Sequence, residues 1–282
     1  MLFLIKKYRQ FALYRCPSGL VFWGGRCAPL LLLPWLFGPV ATGLYALTDR
    51  VLQTPMAFIV THIQSVFLSS CTELKASGKL PDAAFSLLRA QVWLGLPSFT
   101  IFAIVAPELF ALVFGEAWRY AGTYAQLLMP YMFFCFIALP LNALPIAYEK
   151  QQGELFFQTG MAIARCISIL IGGALGSIVL AMALLSLVSA AGWLLYLLWT
   201  MSLVSYRPAQ VLKALGRESI LSIPCILPVA LAKILMDPGA SGMLMMIAVI
   251  CGLLSVGVVA LRAMPALGMA NLPLLGWASR SP

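Results

Sequence analysis

Long apolar runs separated by short polar connections dominate the chain. The runs 20–37, 42–71, 85–105, 123–148, 155–175, 177–204, 219–236 and 242–263 are each long enough for a helix to cross the roughly 30 Å hydrocarbon core of a bilayer. The pattern predicts an all-α integral membrane protein with about eight transmembrane helices. The runs lack the alternating ten-residue strands of a membrane barrel. Gly38-Pro39 ends the first span, and Pro55 is a predicted kink in the second. Pro107 is expected to break the third, leaving 108–114 as a short extension closed by Gly115. Pro130, Pro140 and Pro145 predict a bent or broken fourth span. Gly172, Gly173 and Gly176 predict a very short link between the fifth and the sixth.

The second run is unlike the others. As a helix, 42–71 would measure about 45 Å, and one of its faces is polar. Projected at about 100° per residue from Arg50, Thr61 falls near +20°, Thr54 near +40°, Gln64 near −40°, and Gln53 and Ser65 near ±60°. Lipid cannot satisfy Arg50, so this face is expected to line a polar cavity or to pack on polar groups.

Composition agrees with a membrane class. The 282 residues are 62% hydrophobic and 10% charged, with a mean hydropathy of +0.97, whereas soluble domains carry about 25% charged residues. The net charge of +9 needs no nucleic acid to explain it, because the basic residues sit between spans. With eight spans, Lys6, Lys7, Arg9, Arg15, Lys75, Lys79, Arg89, Lys150, Arg207, Lys213, Arg217, Arg262 and Arg280 fall on one side. Arg119 and Lys233 fall on the other, so both termini are expected in the cytoplasm. The seven cysteines have no metal or redox spacing and read as small buried hydrophobes. The start of the chain, with apolar residues ahead of its charges, does not read as a secretory signal.

The chain divides into a basic cytoplasmic lead-in (1–19), a six-helix lobe (20–204), a basic cytoplasmic loop (205–218), two accessory helices (219–264) and a cytoplasmic tail (265–282). No catalytic set, phosphate-binding loop or metal cluster is visible, so neither enzyme activity nor a cofactor is expected.

The order of signals from Pro29 to Gly173 resembles the carboxyl-terminal half of bacterial polysaccharide flippases, in the multidrug/oligosaccharidyl-lipid/polysaccharide exporter superfamily. The likeness rests on FGPVATGLYALTDRVLQTP (37–55), VFLSSCTEL (66–74), APELFALVFGEAWRYAGTYAQLLMP (106–130) and a polar hinge at 148–153. Similar G-x-Y and L-x-x-P punctuation and a similar llfG-x-x-W-x-x-A turn occur in that family. The resemblance implies two six-helix lobes around a central cavity that rock between membrane faces, in a multi-pass protein of the bacterial inner membrane. The eight spans here correspond to the second lobe plus two extra helices, so a truncated or split product is the expectation. The implied partners are a polyprenyl-pyrophosphate-linked oligosaccharide, membrane lipids, a polysaccharide polymerase and an amino-terminal lobe. Two alternatives are an exporter of drugs or of a peptidoglycan precursor within the same superfamily, and a non-transporting membrane fragment or assembly partner.

Candidate substrate contacts follow. Arg50, roughly 10 Å below the outer end of its span, suits an anionic pyrophosphate; pairing with Asp49 or snorkelling is the alternative. Arg165, mid-span, and Arg26, nearer the cytoplasm, are costly charges expected to face a cavity or a partner; a buried pair or carbonyl-bound structural role for Arg165 and snorkelling for Arg26 are the alternatives. Gln53, Thr54, Thr61 and Gln64 suit sugar hydroxyls, or else interhelical hydrogen bonds. His62, about 120° off the Arg50 face, and Asp49 are candidate ion-coupling groups; for His62 a packing role is the alternative. Glu108, after Pro107, reads as a carboxylate at a helix start. Arg26, Arg50 and Arg165 against few intramembrane acids favour a lipid-pyrophosphate sugar over cationic drugs.

Overall fold

A computed structural model describes residues 2–235, with side chains from residue 17 onward except at 225, 228, 230–232, 234 and 235. The eighth span and the tail read from the sequence therefore lie outside the described residues. Every described element is a helix: α1 (Leu2–Ala76), α2 (Leu80–Phe114), α3 (Arg119–Ala138), α4 (Ala143–Ala147), α5 (Gln151–Ala174), α6 (Ile178–Ser202) and α7 (Pro208–Leu235), with short 3-10 turns at Glu116–Trp118 and Leu139–Asn142.

Among the described residues, five stretches are long and apolar enough to cross a membrane: Pro17–Ala76, Leu80–Phe114, Glu116–Ala147, Gln151–Ala174 and Ile178–Ser202. The first contains two limbs. Gly38, at φ 80° and ψ 177°, interrupts α1 where the sequence predicted an end. That conformation is open to glycine and strained for other residues. The carboxyl-terminal limb, 39–76, measures about 57 Å, and Gly38 is the one non-helical residue in α1, so helical φ and ψ hold through Pro55. Between α5 and α6, Gly176 turns at φ 66° and Ser177 caps α6 by accepting from the Leu180 amide.

α1 packs chiefly on α5, α2 on α3 and α7, and α6 on both α3 and α5. α3 is the most enclosed of them: Leu128, Met132, Phe136 and Ile137 are fully or almost fully buried, as are Trp193 and Tyr196 on α6. Small residues permit the closest approaches. A β-carbon on Gly122 would lie 2.4 Å from the Pro107 Cα, and one on Gly172 would lie 2.4 Å from the Ala181 Cα. Close backbone contact at small residues is the usual basis of helix association in lipid.

The expected break at Pro107 does not occur, because α2 runs through both Pro97 and Pro107. A proline within a helix lacks the N–H that would serve the carbonyl four residues earlier. For Pro107 that carbonyl is Ala103, and the Gln126 Nε2–H of α3 donates to it at 2.7 Å. The reverse arrangement lies further along the same helix pair. Pro140 frees the carbonyl of Phe136, and the Gln91 Nε2–H of α2 donates to it at 3.2 Å. The fourth span is interrupted as expected, by the 3-10 turn that opens at Leu139. Glu108 accordingly sits inside a helix rather than at its start, where Lys233 of α7 pairs with it at 3.2 Å.

α7 starts at Pro208, so most of the stretch read as a loop, 205–218, is helical. Its Glu218 is 1% exposed and pairs with Arg89 of α2 at 2.8 Å. The 89–218 and 108–233 pairs advance in the same direction, so α7 runs parallel to α2.

Replacing Gln126 by Leu leaves the Ala103 carbonyl without its donor. The thermal midpoint in detergent is expected to fall by an amount equivalent to about 1–2 kcal/mol. In a Pro107→Ala background the amide of residue 107 supplies the donor, and the same change should cost much less. Equal losses in the two backgrounds would refute the role given to Gln126.

Candidate functional site

Five helical segments bring polar side chains to one small cavity inside the bundle. The first limb of α1 supplies Arg26, and the second supplies Tyr45, Asp49 and Gln53. α3 supplies Tyr131, α5 supplies Arg165 and α6 supplies Ser189. Tyr45, Asp49 and Gln53 are spaced four apart and so occupy one ridge of the helix.

Arg165 is 4% exposed. Its Nε–H donates to Ser189 Oγ at 3.0 Å, and its guanidinium carbon lies 5.0 Å from the centre of the Tyr131 ring. These two contacts, a charge-assisted hydrogen bond and a cation–π contact, offset part of the cost of burying the charge. Its Nη2 has no hydrogen-bond partner. Gln53 donates through Nε2 to Asp49 Oδ1 at 2.6 Å, while its Oε1 is buried without a partner. The Arg26 guanidinium lies 5.8 Å from the Phe22 ring centre and 5.1 Å from that of Trp23. Asp49 is within electrostatic reach of Arg26 and Arg165, yet neither arginine forms an ion pair with it among the described residues. Two guanidinium groups and one carboxylate thus share a cavity without touching.

Four sequence-derived candidates are brought together here: Arg26, Asp49, Gln53 and Arg165. The others lie elsewhere on α1. Arg50, Thr54, Thr61 and His62 are exposed, and Gln64 is half-buried. Asp49 turns to Gln53 rather than to Arg50, so the expected Asp49–Arg50 pair is not formed, and Arg50 has no side-chain partner among the described residues. The hydroxyls along this outer stripe are satisfied by their own helix. Thr54 donates to Arg50 O at 2.8 Å, Thr61 to Ala57 O at 2.7 Å and Ser65 to His62 O at 2.9 Å. His62 Nδ1 lies 2.6 Å from Phe58 O, so its Nδ1–H donates to that carbonyl.

Tyr45, Tyr131 and Ser189 were not among the candidate contacts read from the sequence, where Tyr131 reads as one of several interface or packing aromatics. The four-residue row Tyr45–Asp49–Gln53 was a readable signal, hidden by centring the helix on Arg50. Nothing local marks Tyr131 or Ser189, which join the cluster only through packing. Among the aromatic residues, Trp193 is fully buried and stacks edge-on with Tyr196 and Phe22. Of the cysteines with described side chains, Cys71 and Cys135 are buried, Cys166 is half-buried and Cys27 is exposed.

Long apolar helices enclosing a polar interior define a multi-pass α-helical membrane protein. A family model described as a polysaccharide biosynthesis protein matches residues 2–122. Over those residues, fewer than half of the chain, the protein is similar to polysaccharide biosynthesis proteins, which supports a role in polysaccharide biosynthesis or export. The match spans α1, α2 and the first turn of α3, and so includes Arg26, Tyr45, Asp49 and Gln53. No curated protein and no solved structure matches the chain.

Ser189→Ala removes the hydroxyl that accepts from the buried Arg165 guanidinium. The expected cost is about 1.5–3 kcal/mol, read as a lower unfolding midpoint. Ser186 is equally buried but its hydroxyl has no partner, so Ser186→Ala should be neutral or mildly stabilising. A reversed ranking would exclude the role given to Ser189.

Proposed function

We propose that this chain forms one lobe of a flippase that moves lipid-linked oligosaccharide across the bacterial inner membrane for surface polysaccharide, lipopolysaccharide included. The observation that carries the reading is the outer stripe of α1. An exposed guanidinium without a partner, continued by Thr54, Thr61, His62 and Ser65, lies on a helix long enough to cross the bilayer. Acyl chains cannot satisfy such a face, whereas a water-filled pathway can. In this reading the stripe is one wall of the pathway and a second lobe supplies the other. Arg50 meets the pyrophosphate of the lipid carrier, and the Gln64 and Thr61 side chains meet sugar hydroxyls or pathway water. The interior cluster of Arg26, Asp49, Gln53 and Arg165 is the charged core of the lobe rather than a seat for the oligosaccharide, because its cavity is far too small for a sugar. The protein binds and carries its substrate without chemical change, and it acts beside a polysaccharide polymerase.

Arg50→Ala, placed in the gene as the cell carries it, is expected to reduce surface polysaccharide strongly at unchanged protein level. Arg50→Lys, which keeps the charge but not the bidentate geometry, should retain part of the output. The readout is polysaccharide recovered from the cell surface, normalised to the membrane level of the protein. Normal surface polysaccharide in Arg50→Ala would reject the substrate contact.

A further inference from the structure

The interior cluster poses a specific chemical problem. Arg165 and Gln53 are 4% and 7% exposed, and each carries one polar atom without a partner: a guanidinium N–H donor at Nη2 and an amide acceptor at Oε1. Both residues line the same cavity, together with Arg26 and Asp49. A buried donor or acceptor left unpaired costs about 1–3 kcal/mol, and more when charged. The Gln53 amide cannot exchange its ends to solve this, because its nitrogen is the end that donates to Asp49.

The group that completes the cavity must accept from Arg165 and donate to Gln53 at once. Chloride can accept from a guanidinium but has nothing to donate, and it would face both Oε1 and the Asp49 carboxylate. A sodium or potassium ion could be held by oxygens, but it would sit among two guanidinium groups with one carboxylate to balance them. A water molecule meets both requirements, and the cavity has room for about one.

We propose that this cavity is a binding site for a single ordered water, which accepts from Arg165 Nη2 and donates to Gln53 Oε1, so that the arginine charge and the Asp49 side chain are coupled through solvent rather than by contact. The three helices bearing Gln53, Arg165 and Ser189 are thereby joined by one hydrogen-bonded path, running from Asp49 through Gln53, the water and Arg165 to Ser189. The water site stands independently of the transport reading.

The test is X-ray hydroxyl-radical footprinting of the full chain in lipid nanodiscs, in which radicals born from a bound water mark the side chains beside it. Tyr45 and Tyr131 line the cavity and are almost wholly buried. They are expected to be modified well above Tyr196, which is fully buried outside it. Gln53→Leu, which removes the acceptor, should abolish that excess labelling. In the unmodified protein, exchanging chloride for gluconate, or sodium for choline, should leave the thermal midpoint unchanged. Labelling of Tyr45 and Tyr131 no greater than that of Tyr196 would overturn the proposal, and so would a midpoint that rises with chloride or with sodium. The labelling and the ion arms use the unmodified chain, so a Gln53→Leu protein that failed to fold would leave both decisive.

Discussion

A carbonyl freed by a proline has no water to turn to inside a bilayer, and the bundle is built around supplying its missing donor. Gln126 on α3 serves the carbonyl opened by Pro107 on α2, and Gln91 on α2 serves the α3 carbonyl opened by Pro140 in the turn that follows. The two bonds cross between the same pair of helices in opposite directions. They fix both the spacing and the register of α2 on α3, with Gly122 allowing the backbones to meet. Since α3 also packs on α1 and α6, its placement sets where Tyr131 stands and hence which surface the Arg165 guanidinium can rest on. Pro107 and Pro140 therefore do not simply weaken these helices: each is matched by a glutamine on the facing helix.

This is also where the sequence was least legible. Apolar runs and turn glycines were enough to place the helical stretches from Leu20 to Val204, the interruption at Gly38, the broken fourth span and the tight link at Gly176. All of these depend on neighbours within a few residues along the chain. Reading Pro107 as a break failed because its remedy sits on another helix, 19 residues further along at Gln126. The start of α7 was missed for a similar reason. The polar stretch before residue 219 looks solvated until Arg89, more than a hundred residues earlier, is seen to neutralise Glu218. The site divides along the same line. Arg26 and Arg165 stood out because charge in an apolar run is costly wherever it points. Tyr131 and Ser189 are ordinary side chains made significant by what the fold places beside them.

The second limb of α1 emerges with two polar faces in place of the single one expected. An inner ridge of Tyr45, Asp49 and Gln53 faces the other helices of the bundle, while an outer stripe led by Arg50 is exposed. The faces differ in burial rather than in how their hydrogen bonds close. The hydroxyls of the outer stripe bond back to their own helix, while the exposed Arg50 guanidinium and the half-buried Gln64 amide keep capacity for something outside. On the inner ridge the Gln53–Asp49 bond also closes within the helix, and Gln53 Oε1 is buried without a partner. One helix thus separates a polar surface that could change partners during a working cycle from a polar interior whose partners are set by the fold.

Gly38 gives this separation a mechanical side. Arg26 lies on the limb before it, while Asp49 and Gln53 lie on the limb after it. A β-carbon at Gly38 would meet nothing within 4 Å, so the joint residue itself borders open space. Any turn about that joint moves one guanidinium relative to the carboxylate and leaves the Asp49–Gln53 bond, internal to one limb, untouched. The charge cluster therefore works as a gauge: its internal spacing reads out the angle of the helix that carries it.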